Sequence, residues 1–131
     1  MKKLTLIFTL LVSTAMFSSP SYSKWTKVGE GVSGMTYYVD FKSMKKHGGY
    51  VTYWVLRDYL KPDKFGNLSG KTYYQGDCKL FRYKSLNGSF HKEPMGGGSS
   101  VNYSPKNPDW KYPPSNSVIE EILKSYCSSE V

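Results

Sequence analysis

Alanine is almost missing from this 131-residue chain; its single copy, Ala15, lies among the first 23 residues. Cysteine and histidine occur twice each, only two of the 18 basic residues are arginine (Arg57 and Arg82), and acidic residues number ten. The longest apolar stretch, Leu4 to Phe17 at its most generous, is 14 residues, whereas a membrane-spanning helix needs about 20. Without alanine after residue 23, and with all 12 glycines there, a long helical bundle or coiled coil is excluded. What is abundant is aromatic: 12 tyrosines, six phenylalanines and three tryptophans.

The N-terminus reads as an export signal. Met1-Lys2-Lys3 is a positive n-region, Leu4 to Val12 is apolar apart from Thr5 and Thr9, and Ser21 and Ser23 fit the small-residue sites of a signal peptidase. Residues 1–23 are therefore expected to be a signal peptide and 24–131 one exported domain of 108 residues, with 16 basic against ten acidic side chains. No cysteine follows the apolar run, so no lipid anchor is expected. The short lysine-led signal suits a bacterial host, with the product in the periplasm or at the cell surface.

Cys78 and Cys127 are the whole cysteine inventory. In an oxidising compartment pairing is the default; a redox or metal pair lacks Cys-x-x-Cys spacing and neighbouring histidines. The bridge would close a loop worth about 4 kcal/mol on chain-entropy grounds.

Strand signals dominate the remainder. Trp25–Val28 and Met35–Asp40 are short candidates, Phe41–Lys46 fits one helical turn capped by Asp40, and His47-Gly48-Gly49 a turn. Tyr50–Leu60 carries bulky residues on both faces and should be a central strand covered on both sides for part of its length. Lys61–Gly70 is a polar loop, Lys71–Tyr74 starts a strand, and Gly76 suggests a bend. Cys78–Leu86 is expected to run into a two-residue hairpin turn at Asn87-Gly88 and return along Ser89–Lys92. Gly96–Ser100 reads as a flexible joint, Val101–Tyr103 as a last strand, and the proline-rich Ser104–Ser115 as a wrap with Trp110 and Tyr112 tucked in. Ser117 with Glu120 forms a capping box, and Ile119, Ile122, Leu123 and Tyr126 make one helical stripe beside Cys127. The expected fold is α+β: an antiparallel sheet of about five to six strands, with one C-terminal helix pinned to it by the disulfide.

No catalytic grouping emerges. His47 and His91 are expected at the surface without a metal, Asp58 and Asp77 at solvated strand ends, and Gly96–Ser100 lacks the lysine of a phosphate loop. Neither an enzyme nor a cofactor is expected. A binding surface is the better reading: along the Cys78–Lys92 hairpin, Lys79, Arg82 and Lys84 would supply charge and Tyr83 and Phe90 aromatic anchors. Lys42, Lys45 and Lys46 form a second basic cluster. Such patches attract polyanions, but export and modest charge argue against nucleic acid as the partner.

The order of landmarks resembles the surface-adhesin protein E family of Gram-negative bacteria. The matching features are Trp25, Tyr38-Val39-Asp40, Ser43-Met44, the strand Val51-Tyr53-Trp54-Leu56 with Asp58-Tyr59, Asp77-Cys78 with Arg82, Met95 with Gly97, and the terminal helix with Cys127. The resemblance implies a small antiparallel sheet with a packed helix, bridged cysteines and no catalytic activity. It also implies protein partners, namely host extracellular-matrix and serum proteins and plasminogen. The alternative is a periplasmic accessory protein that binds a polyanion or another envelope protein.

Overall fold

A computed structural model describes residues 24–128; the expected signal peptide lies outside the described residues. The chain order is β1 (Thr26–Glu30), β2 (Thr36–Val39), a 3-10 turn (Phe41–Ser43), β3 (Lys45–His47), β4 (Tyr50–Asp58), β5 (Ser69–Asp77) and β6 (Arg82–His91). A second 3-10 turn (Pro94–Gly96), β7 (Ser100–Tyr103) and helix α1 (Val118–Ser128) follow. All strand pairings are antiparallel, in the order β1-β2-β4-β5-β6-β7. The three-residue β3 occupies the same edge of β4 as β2, at the Tyr50 end. Asp40 caps the first 3-10 turn as its sequence suggests, accepting from the Lys42 amide at 3.2 Å, but the chain then straightens into β3.

The sheet is covered on one face by α1. Strand alternation aims Val51, Tyr53 and Val55 at the helix, where Ile122, Leu123 and Tyr126 meet them in a buried core with Val39 and Tyr74. Tyr53 is its centre, its ring 4.5 Å from that of Tyr126 and 5.8 Å from that of Tyr74. Gly76 lets the helix come this close: a Cβ there would lie 2.6 Å from Leu123 Cδ1. Ile119, expected in the stripe, is only partly buried, and Val118 packs against the core instead. Ser117 caps α1, accepting from the Glu120 amide at 3.1 Å, while Glu120 accepts from the Asn116 amide at 3.0 Å. Cys78 and Cys127 are bonded, with 5.4 Å between their Cα atoms, so the helix is clamped at the end of β5.

Three local expectations are corrected. The β5–β6 turn falls at Cys78–Phe81, not at Asn87-Gly88, which lies inside β6. Asp77 fixes that turn by accepting from the Lys79 and Leu80 amides at 3.1 and 3.2 Å, and Phe81 takes a positive φ of 52° to close it. Gly88 serves close approach instead: a Cβ would collide with the Lys71 carbonyl and the Tyr103 ring. Gly96 and its neighbours are not a free joint, because the Gly96 amide donates to Ser69 Oγ at 2.8 Å and the Met95 amide to Asp58 at 2.9 Å. That turn closes over Leu56 on the helix-free face, so β4 is covered on both sides there. Tyr112 is not tucked in; it is 66 % exposed.

Candidate binding surface

The two sheet faces separate the hairpin residues singled out from sequence. Arg82 and Lys84 project from the helix-free face, whereas Tyr83 projects from the helix face, edge-on to Tyr74 at 5.5 Å. Between Tyr83 and Phe90 the register slips, leaving Leu86 as a bulge. That extra residue puts Phe90 on the helix face too, stacked on Tyr103 at 5.2 Å. Lys79 sits exposed in the turn. The five expected residues therefore do not form one patch: two cations lie on one face and two aromatics on the other.

On the helix-free face the cations meet a residue that sequence reasoning placed only in a loop. Trp110 lies with Arg82 Cζ and Lys84 Nζ each 4.4 Å from its ring centroid, and it stacks on Tyr50 at 6.1 Å. The backbone sets it there, since Lys111 bonds Tyr83 in both directions at 2.8 and 2.9 Å along the outer edge of β6. Arg82 is held from below by Asp77 at 2.9 Å. Burial pushes the Asp77 carboxyl up, but Arg82 and the turn amides prevail and hold it below the usual carboxylate range.

Further along the same face, Trp54 packs on Tyr73 at 4.9 Å. Trp54 also lines a cleft of about 340 Å³ with Lys24, Trp25, Asp40, Lys71 and Ser89. All three tryptophans thus sit on the helix-free face, each partly exposed. The signal available in sequence was Trp54 on the face of β4 opposite Tyr53; nothing local marked Trp110.

The remaining candidates are dispersed. Asp58 and Asp77 stand at opposite ends of the β4–β5 ladder, roughly 26 Å apart at about 3.3 Å per residue; Asp77 is not solvated, being 4 % exposed, and Asp58 is partly buried with the Met95 amide on its carboxylate. His47 is exposed, but His91 is buried, its Nε2 2.7 Å from Ser89 Oγ. Its position between β5 and β7, rather than at a free strand end, accounts for that burial. Burial, with Lys71 nearby, pushes the His91 pKa down. Among the described residues, no cluster of three or more His, Cys, Asp or Glu side chains is placed to hold a metal. No helix among them is long and apolar enough to cross a membrane.

A one-layer antiparallel sheet with a disulfide-clamped helix on one side, and an aromatic, basic surface on the other, has the form of a small adhesin-like module. The chain belongs to the Surface-adhesin protein E family, whose model matches residues 25–128. Its fold is that of Haemophilus influenzae protein E. Crystal form II of that protein superposes with a TM-score of 0.59 at 16 % identity, covering 81 % of this chain and 88 % of that one. A structure of protein E from non-typeable Haemophilus influenzae gives 0.55 at 16 % identity, covering 81 % and 76 %. No curated protein matches the sequence significantly.

Proposed function

We propose that residues 24–131 form one exported, non-enzymatic module that binds a host extracellular-matrix or serum protein through its helix-free face. It would act at the cell surface. The observation that carries this reading is the position of the three tryptophans. Folding rewards the burial of large aromatic rings, yet here the core is built from tyrosine and aliphatic residues. Trp25, Trp54 and Trp110 remain on an open face among Lys24, Lys71, Arg82 and Lys84. Tryptophan, tyrosine and arginine are the residues that dominate protein–protein binding energy. Lys79 adds charge at the rim, while Tyr83 and Phe90 support the sheet from behind.

Binding is measured on immobilised matrix glycoproteins, serum glycoproteins and plasminogen by interferometry, with heparin as the polyanion arm. For the protein ligand, Trp54→Ala and Trp110→Ala should each weaken binding about tenfold or more, an effect typical of hot-spot anchors. Intrinsic tryptophan fluorescence should change on binding. Wild-type affinity in both variants would overturn the proposal. Binding to heparin alone, collapsing between low and physiological salt, would favour the polyanion-binding accessory protein. Fractionation of a tagged full-length chain tests location, and a strictly periplasmic result would refute direct contact with host proteins.

A further inference from the structure

Helix α1 covers only the Val51–Val55 part of its sheet face; Arg57 lies beyond it on the same face. The guanidinium donates from Nη1 to the Tyr74 hydroxyl at 3.0 Å and from Nη2 to Thr72 Oγ1 at 2.8 Å. Thr72 Oγ1 is in turn 3.0 Å from the Tyr103 hydroxyl. Tyr37 and Tyr59 complete the ring, both close enough for the Arg57 charge to act on their hydroxyls. No carboxylate pairs with Arg57: the ion pairs among the described residues are Lys27–Glu30 and Arg82–Asp77.

That arrangement is unusual for a partly buried cation, which normally has an anionic partner. A hydroxyl has one hydrogen, so an oxygen that accepts from arginine must direct its own O–H elsewhere. Burial pushes the Tyr37 and Tyr59 hydroxyls up against the pull of Arg57, so both are protonated donors at neutral pH. The ring therefore combines one positive charge with several hydroxyl groups and no balancing anion, the complement of an anionic ligand. Tyr59 is shared with an open cleft of about 540 Å³ that Met35 and Leu60 also line, and Leu60 is 71 % exposed. Asp63, the acid in that cleft, is already engaged with the Phe65 and Asn67 amides and with Asn67 Nδ2.

We propose that Arg57 and its tyrosine ring bind a carboxylate of a protein partner, with an adjoining apolar group of that partner in the Met35–Leu60 cleft. The planar guanidinium favours a carboxylate because the two match in geometry. The apolar wall favours an acidic residue next to a hydrophobic one. The site is separate from the tryptophan face and lies across the sheet from it.

The test uses the folded protein and four small probes: 3-methylbutanoate, its neutral isostere 3-methylbutanamide, sulfate and N-acetylneuraminate. Binding is followed by NMR at the Arg57 Nε–H resonance and at labelled tyrosine rings. 3-Methylbutanoate should shift these signals saturably, with the amide and sulfate at least about tenfold weaker, the gap expected for one charge-assisted pair. Arg57→Gln should abolish the shifts. Because that change also leaves buried hydroxyls unpaired, the milder double variant Tyr59→Phe, Tyr103→Phe provides a second arm. It should weaken binding while keeping a native amide spectrum, whereas Trp110→Ala should leave binding unchanged. Equal binding of acid and amide, sulfate binding as tightly as the carboxylate, or no effect of the tyrosine pair would each overturn the site. Tighter binding of N-acetylneuraminate than of 3-methylbutanoate would overturn the assignment to a protein partner.

Discussion

Replacing Cys78 and Cys127 together by alanine removes the covalent cross-link between α1 and the sheet. The link spans a sequence separation of 49 residues. Closing a loop of that size lowers the entropy of the unfolded chain by roughly 14 cal/mol/K, or about 4 kcal/mol at 25 °C. Domains of this size are stable by only about 5–15 kcal/mol, and each kilocalorie moves the melting temperature by about 4–8 °C. A fall of about 15–30 °C in Tm is therefore expected. Urea unfolding should also show a larger m value, because the unlinked unfolded chain is more expanded. The loss should be greatest at the C-terminus. An 11-residue helix is marginal by itself in water, so only the packing of Val118, Ile122, Leu123 and Tyr126 would still hold α1 down. Hydrogen exchange should report α1 amides opening before those of β4 and β5. A destabilisation below about 1 kcal/mol with an unchanged m value would refute the claim that the bridge acts by restricting the unfolded chain.

Leu123→Ala should destabilise by about 2–5 kcal/mol in denaturant titration, since the side chain is fully buried and the sheet beneath it cannot collapse into the space. Gly76→Val should cost about 1–3 kcal/mol from the other side of the same contact, where even a Cβ meets Leu123. Asp77→Ala should cost about 2 kcal/mol or more by stranding Arg82 and two turn amides, visible as a lower urea midpoint. Acid should weaken the fold. The His91 pKa is depressed in the folded state, so its contribution is full above the unfolded pKa and is lost as pH falls through the folded value. Tm should therefore drop between about pH 7 and pH 5, and drop less in His91→Gln; equal slopes would refute the assignment. Asp77, also depressed, adds the same sign of dependence at more acidic pH.

Much of the architecture was legible where pattern and burial agree. Two-sided bulk in Tyr50–Leu60 marked the central strand, and the spacing of Ile122, Leu123 and Tyr126 beside Cys127 marked a helix that the bridge would clamp. The hairpin turn was misplaced because glycine has two uses. Asn87-Gly88 has the composition of a turn, but Gly88 is there so that the Tyr103 ring can cross the strand. The actual turn, Cys78–Phe81, carries no glycine and depends on the Asp77 carboxylate. The candidate binding residues were divided between faces for a related reason: alternation is readable along a strand, whereas the Leu86 bulge that changes its phase depends on how β5 and β6 pair.

Composition and local order by themselves determined that this chain would be a strand-rich module with a bridged C-terminal helix. Those features follow from backbone preference, apolar period and the chemistry of two thiols. Only the tertiary structure decided that Trp110 would sit between Arg82 and Lys84, and that Arg57 would stand among tyrosines with no acid to pair it. Both sites join residues far apart in the chain. Their geometry is fixed by strand register and sheet face, which emerge only when the strands pair and the helix chooses one side.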